Sequence, residues 1–142
     1  MNTTNTSNCA MANLTGKTVK ALFLSRDQSI LVVLHSEGYS EFETFADCCS
    51  ETWFADIVGV QNLLGHTVMS AEDIQLEAIE DGRTRQESDL FYGIKLVTTG
   101  GYVDLVYRNS SNGYYGGWLC QACHHDKYDC SDMLELTEDY SA

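Results

Sequence analysis

Cysteine and histidine side chains concentrate in the segment from Cys120 to Cys130. A C-x-x-C spacing brings two thiolates within reach of one zinc ion, and a nearby His or Cys can complete the tetrahedral ligand set. Most zinc modules use two separated ligand pairs, so a metal-free surface turn is the alternative. The predicted zinc ligands are Cys120, Cys123, His124 and Cys130.

A second candidate site is the polar and aromatic segment that begins at Arg108. A guanidinium group offers a bidentate fork for phosphate or carboxylate, Asn and Ser add directional hydrogen bonds, and tyrosines add stacking faces. This combination suits a small nucleotide-like ligand. The alternative is a hairpin turn over Asn109–Gly113 flanked by tyrosines. The predicted ligand contacts are Arg108, Asn109, Asn112, Tyr114 and Tyr115.

The adjacent residues Cys48 and Cys49 lie between Asp47 and Glu51. Neighbouring carboxylates raise a thiol pKa, so this environment disfavours a catalytic nucleophile. We expect a structural role, with one thiol buried and the other at the surface.

Several function classes are disfavoured by the sequence as a whole. It contains no G-x-S-x-G, Walker, dinucleotide-binding, H-E-x-x-H or EF-hand pattern, so we predict that the protein is not an enzyme. Its eight Lys and Arg residues are scattered, which argues against direct nucleic-acid binding. No apolar run is long enough for a transmembrane helix, and no export signal precedes the six cysteines. These features predict a protein of the reducing cytoplasm, with no cofactor except the zinc considered above.

The stretch from Asp27 to Asp81 contains twelve Asp and Glu residues and no Lys or Arg, in a chain of net charge −13. Such a field attracts cationic partners and repels nucleic acid. The alternative is that acidity only keeps the protein soluble. Strand periodicity and a short turn lead us to predict one exposed acidic face that binds a partner. Its predicted members are Glu41, Glu43, Glu51 and Asp56.

The elements that must position these residues are mostly strands. Apolar runs on either side of a polar break at Arg26–Gln28 predict a hairpin, and Leu90–Thr99 and Tyr102–Arg108 predict another around Gly100-Gly101. Residues 71–80 alternate like a strand but have the composition of a helix. The predicted fold is mainly β (a β-rich α+β class), a single antiparallel meander or small barrel-like sheet with one or two short helices.

The predicted domain organisation has three parts. Residues 1–13 form a flexible N-terminal arm, residues 14–119 form the β-rich domain, and residues 120–142 form a Cys/His segment with an acidic tail. The tail is expected to be a short helix or a docked strand.

Two patterns, D-C-C-x-E at residues 47–51 and S-N-G-Y-Y at residues 111–115, resemble an uncharacterised family of small bacteriophage proteins. The likeness extends from about residue 15 to residue 118. It implies a phage origin and a site of action in the cytoplasm of an infected bacterium. It implies no activity, but small acidic phage proteins commonly act on host defences, some as DNA mimics that block restriction or CRISPR machinery.

Three functional hypotheses follow for a non-enzymatic protein of this kind. The first is an acidic inhibitor of a nucleic-acid-binding host defence protein with a basic surface. The second is a sponge that sequesters a nucleotide-derived defence signal, with its site at a homo-oligomer interface. The third is a virion or assembly accessory protein.

Overall fold

The computed structural model describes residues 9–113 and 115–141, and these residues are mostly strand. This confirms the predicted β-rich fold class. The described residues also form a single 3-10 turn at Ala12–Leu14 and a single short helix, α1, at Val60–Leu63. The strands are β1 (Val19–Leu24), β2 (Ile30–His35), β3 (Gly38–Ala46), β4 (Glu51–Val58), β5 (Val68–Gln75), β6 (Ser88–Thr98), β7 (Gly101–Ser111), β8 (Gly117–His124), β9 (Leu134–Glu135) and β10 (Tyr140–Ser141).

The strands form two antiparallel sheets instead of the predicted single meander or barrel-like sheet. Sheet 1 has the order β8-β3-β2-β1-β9, and sheet 2 has the order β10-β4-β7-β6-β5. The chain changes sheet three times, between β3 and β4, between β7 and β8, and between β9 and β10. These changes depend on long-range pairing, which local periodicity does not encode.

One hydrophobic core lies between the two sheets. Leu22, Leu31 and Phe42 contribute from sheet 1, Phe54 and Leu105 contribute from sheet 2, and each is at most 1% exposed. The sheets therefore pack face to face, and each keeps an outer face for polar side chains.

Both predicted hairpins are present. β1 pairs with β2, and β6 pairs with β7 in a register that joins Thr98 to Gly101. Thr99 and Gly100 are thus the two connecting residues, and Gly101, with a φ of +134°, already belongs to β7. Glycine tolerates this positive φ without the steric penalty that a Cβ atom would bring.

The predicted turn at Asn109–Gly113 begins later than expected. Asn109, Ser110 and Ser111 are buried residues of β7, and the chain leaves the strand only after Ser111. Ser111 accepts a hydrogen bond from the Gly113 amide at 2.9 Å, which closes the turn.

The C-terminal segment is part of both sheets. The predicted boundary at residue 120 falls inside β8, which pairs with β3 along its whole length. Of the two structures expected for the acidic tail, the docked strand occurs: β9 pairs with β1 and β10 pairs with β4. No helix in the described part of the chain is long and apolar enough to cross a membrane.

Candidate functional site

Arg108 lies at the centre of the outer face of sheet 2. Strand register places it opposite Trp53 of β4 on one side and Phe91 of β6 on the other. The Arg108 guanidinium carbon is 4.2 Å from the centre of the Phe91 ring, and the side chain is only 1% exposed. The loop between β5 and β6 folds back over these three cross-strand neighbours. Its Arg85 guanidinium lies 4.2 Å from the Trp53 ring centre.

Two carboxylates neutralise the buried guanidinium of Arg108. Its Nη1 donates to Asp81 Oδ1 at 3.0 Å and to Asp89 Oδ2 at 3.1 Å, while its Nη2 donates to Asp81 Oδ2. The Asp89 side chain is only 5% exposed and also accepts hydrogen bonds from Thr84 and Ser110. A charge taken out of water needs such partners, because an unpaired buried ion is strongly destabilising.

A second arginine extends the network to the C-terminal strand. Arg83 donates from Nη1 and Nη2 to the two carboxylate oxygens of Asp56, each at 3.0 Å, and lies 2.9 Å from Asp81 Oδ2. The Ser141 hydroxyl of β10 donates to Asp56 at 2.9 Å. We call this set the arginine cluster: Asp56, Asp81, Arg83, Asp89 and Arg108.

The pKa values of two cluster carboxyls are lowered. The hydrogen bond from Arg108, helped by Arg83, holds the pKa of Asp81 well below its usual range. Burial alone would raise the pKa of Asp56, but the hydrogen bonds from Arg83 and Ser141 outweigh burial and lower it. Both groups are therefore ionised ligands of arginine at neutral pH, not proton donors.

A cleft of about 500 Å³ opens beside the cluster, lined by the β5–β6 loop and the first residues of β6. Its apolar wall includes Ala78 and Ile79, and no Lys or Arg is among the described residues that line it. Four of the lining residues carry carboxylates: Glu80, Asp81, Glu87 and Asp89. Asp81 and Asp89 bind Arg108, whereas the exposed Glu80 and Glu87 have no such partner.

Unpaired carboxylates continue from this cleft along the free edge of sheet 2, where β5 is the last strand. Glu72 lies on β5 and Glu77 lies just beyond its end, and both are exposed. Within the described ranges their carboxylates, like those of Glu80 and Glu87, accept no hydrogen bond and form no ion pair. We call these four residues the acidic edge: Glu72, Glu77, Glu80 and Glu87.

The predicted ligand contacts near Arg108 do not converge on one surface. The guanidinium is buried and bound, and Asn109 is buried on the opposite face of β7, where it donates to Thr52 Oγ1 at 3.0 Å. Asn112 is exposed, Tyr115 is half-buried, and Tyr114 lies outside the described residues. A nucleotide site built from these residues stays a prediction.

The predicted acidic face is divided between two surfaces. Glu41 and Glu43 alternate with the buried Phe42 on the outer face of sheet 1, whereas Glu51 and Asp56 belong to β4 of sheet 2. Glu41 accepts hydrogen bonds from His124 and Tyr128, at 3.0 and 2.7 Å, and Asp56 binds Arg83. The structure therefore does not bring the four carboxylates together.

The predicted zinc ligands are spread over a strand and the segment after it. Cys120 and Cys123 both belong to β8, and a three-residue separation in a strand directs side chains to opposite faces. Burial raises the pKa of the Cys130 thiol. In residues 9–113 and 115–141 no three His, Cys, Asp or Glu side chains form a group suited to a metal ion. Zinc binding stays a prediction.

The expectation for Cys48 and Cys49 is wrong, because both thiols are exposed. They occupy the turn between β3 and β4, outside the core.

Sequence reasoning missed Asp81, Arg83 and Asp89 as partners of Arg108. The available signal was the mixed-charge loop that follows the long acidic stretch, where Arg83 and Arg85 are the first basic residues after Arg26. That pattern indicates ion pairing near the loop, but it does not identify the strand that carries the partner residue.

Comparison with known proteins finds a matching family profile and a viral relative. The profile of a family described as a domain of unknown function, DUF7448, matches residues 12–120. An uncharacterised protein of Acanthamoeba polyphaga mimivirus is 36% identical over 91 residues, which cover 59% of this chain and 68% of the viral protein. No solved structure gives a significant match.

Proposed function

The chain belongs to the DUF7448 family, and from that premise we propose that it is a non-enzymatic, bacteriophage-type binding protein. Its proposed partner is a basic surface on a nucleic-acid-binding defence protein of the infected host. The acidic edge makes the contact and thereby inhibits the host protein.

The acidic cleft is the observation that carries this proposal. Its carboxylates Glu80 and Glu87 have no basic partner, and Ala78 and Ile79 supply an apolar wall beside them. An Arg or Lys side chain of a partner has matching chemistry, since its alkyl stem covers apolar surface while its charge meets the carboxylates. The volume of about 500 Å³ accommodates such a side chain.

The charge distribution supports a protein partner over an anionic one. Arg83 and Arg108 are already bound to aspartates, so they add no free positive charge near the cleft. A nucleotide phosphate there would meet carboxylates, which weakens support for the sponge hypothesis. Exposed carboxylates contribute little individually to affinity, but together they speed the encounter with a basic surface and make it salt-sensitive.

Capture from a bacterial host lysate tests the proposal with two charge-matched variants. The edge-reversed variant replaces four exposed glutamates with lysine: Glu72→Lys, Glu77→Lys, Glu80→Lys and Glu87→Lys. The tail-reversed variant makes the same charge change at four exposed positions near the C-terminus: Asp126→Lys, Asp132→Lys, Glu135→Lys and Glu138→Lys.

We expect the native protein to capture nucleic-acid-binding proteins at low salt and to release them at high salt or when DNA is added. The tail-reversed variant should retain this capture, and the edge-reversed variant should lose it. Equal capture by both variants would contradict the proposal. Thermal stabilisation by an ADP-ribose-type nucleotide would favour the sponge instead, and presence in purified particles would favour the virion hypothesis.

A further inference from the structure

Cys48 and Cys49 occupy the centre of a tight turn between β3 and β4. The Ser50 amide donates to the Asp47 carbonyl oxygen at 3.1 Å, so the two cysteines are the middle residues of a β-turn. Cys49 has a φ of +71°, in the left-handed region that Gly and Asn normally occupy in turns. Both side chains are exposed, and their sulfur atoms lie 3.0 Å apart.

Hydrogen bonds on both sides hold this turn in place. The Asp47 amide donates to the Gly116 carbonyl oxygen at 3.2 Å, which fastens the turn to the segment that precedes β8. The Ser50 hydroxyl donates to the Asp47 carbonyl oxygen at 2.7 Å. The two thiols therefore remain close without help from a ligand, and such preorganisation raises the effective concentration of one sulfur at the other.

From this geometry we propose that Cys48 and Cys49 form a reversible oxidation site that closes to a disulfide between neighbouring residues. The oxidant is a low-molecular-weight disulfide such as glutathione disulfide. One cysteine thiolate attacks a sulfur of the oxidant, forms a mixed disulfide and releases one glutathione thiolate. The second cysteine thiolate then attacks the protein sulfur of the mixed disulfide and releases the other glutathione. Two protein thiols are oxidised, one glutathione disulfide is reduced, and the two protein protons pass to the departing thiolates.

The closed form is easily reduced. Neighbouring Cα atoms are about 3.8 Å apart across a trans peptide, whereas most disulfides span about 4.4–6.8 Å between Cα atoms. The ring is consequently strained, and strained, exposed disulfides are the labile ones. The site therefore responds to the redox state of its surroundings and does not serve to stabilise the fold.

The Cys120 and Cys123 pair provides an internal contrast. Both thiols are exposed, but the strand β8 directs them to opposite faces. The same oxidant should leave separate glutathione adducts on these two residues instead of an internal bridge.

Trypsin separates the two pairs cleanly. No Lys or Arg lies between Arg26 and Arg83, so residues 27–83 form one tryptic peptide with Cys48 and Cys49 as its only cysteines. The peptide of residues 109–127 contains Cys120 and Cys123 alone. Reduced protein is incubated with glutathione disulfide, and the remaining thiols are blocked with N-ethylmaleimide. After trypsin digestion, the masses of both peptides are measured by mass spectrometry.

We expect the 27–83 peptide to lose two hydrogen atoms and to carry neither maleimide nor glutathione, and excess reduced glutathione should reverse the change. Ser50→Ala keeps both thiols but removes one bond of the turn, so it should slow closure several-fold. Cys49→Ser should give a stable glutathione adduct on Cys48. Persistent glutathione or maleimide on both native cysteines, or closure that is equally fast in Ser50→Ala, would overturn the proposal. Thermal unfolding of each variant checks that the fold is retained.

Discussion

The arginine cluster and the acidic edge lie side by side on sheet 2 and use carboxylates in opposite ways. Asp81 binds two arginines, whereas Glu80, its neighbour in the chain, binds none of the described residues. Within the cluster, charge is paired, with Arg108 and Asp89 buried, and the ion pairs fix the β5–β6 loop to the sheet. At the edge, charge is exposed and unpaired. The cluster carboxylates therefore stabilise the fold, and the edge carboxylates remain available to a partner.

The largest expected effect comes from removing the central cation of the cluster. Arg108→Met leaves the buried Asp89 without its guanidinium, and loss of one partner of a buried ion pair costs about 3–5 kcal/mol in the free energy of unfolding. Urea unfolding measures this loss, and the exposed Arg26→Met serves as the matched control. Adding Asp89→Asn to Arg108→Met should restore part of the stability, because it removes the uncompensated charge. A loss below about 1 kcal/mol would contradict a stabilising role for the cluster.

A smaller effect distinguishes the neighbours Asp81 and Glu80 by acid titration. The Arg108 hydrogen bond lowers the pKa of Asp81 in the folded state. This contribution to stability is therefore fully present above the unfolded pKa of about 3.9 and is lost as the pH falls below that value. Asp81→Asn should reduce stability at pH 7 and flatten its decline in acid, whereas Glu80→Gln should leave both unchanged. If the stability of the two variants depends on pH in the same way, the proposed difference between Asp81 and Glu80 is wrong.

The edge-reversed variant should unfold almost as the native protein does. Its four positions are exposed and make no ion pair with described residues, so the free energy of unfolding should change by no more than about 0.5 kcal/mol. Each substitution raises the net charge of −13 by two units, which reduces self-repulsion. Urea unfolding at low and moderate salt checks this result. A loss comparable to that of Arg108→Met would show that the edge, too, is structural.

The smallest expected effect is that of chelation. A structural zinc site couples metal binding to folding, so chelation of such a site lowers stability. Cys120 and Cys123 diverge across β8, and we therefore expect the unfolding temperature to be the same with and without a chelator. Metal analysis of protein purified without added zinc gives the complementary measurement. A stoichiometric metal content together with a chelator-sensitive unfolding temperature would support the predicted zinc site.

Local sequence signals predicted the hairpins of this fold. They could not predict the pairings between strands that are far apart in the chain. Turn residues and alternating apolar residues identified β1 with β2 and β6 with β7, because those pairs are adjacent in the chain. The pairing of β8 with β3 and the docking of β9 and β10 have no local signal. The sequence also singled out Arg108 but not its role, since its partners Asp89 and Asp81 lie 19 and 27 residues away.

The most direct test of the central claim is a nuclear magnetic resonance titration with an arginine-rich peptide. Isotope-labelled protein is titrated at low and high salt, and the amide shifts locate the contact. We predict that the shifts concentrate between residues 72 and 89, weaken with salt, persist in the tail-reversed variant and disappear in the edge-reversed variant. Shifts spread evenly over both sheets, or unchanged in the edge-reversed variant, would contradict the assignment of partner binding to the acidic edge.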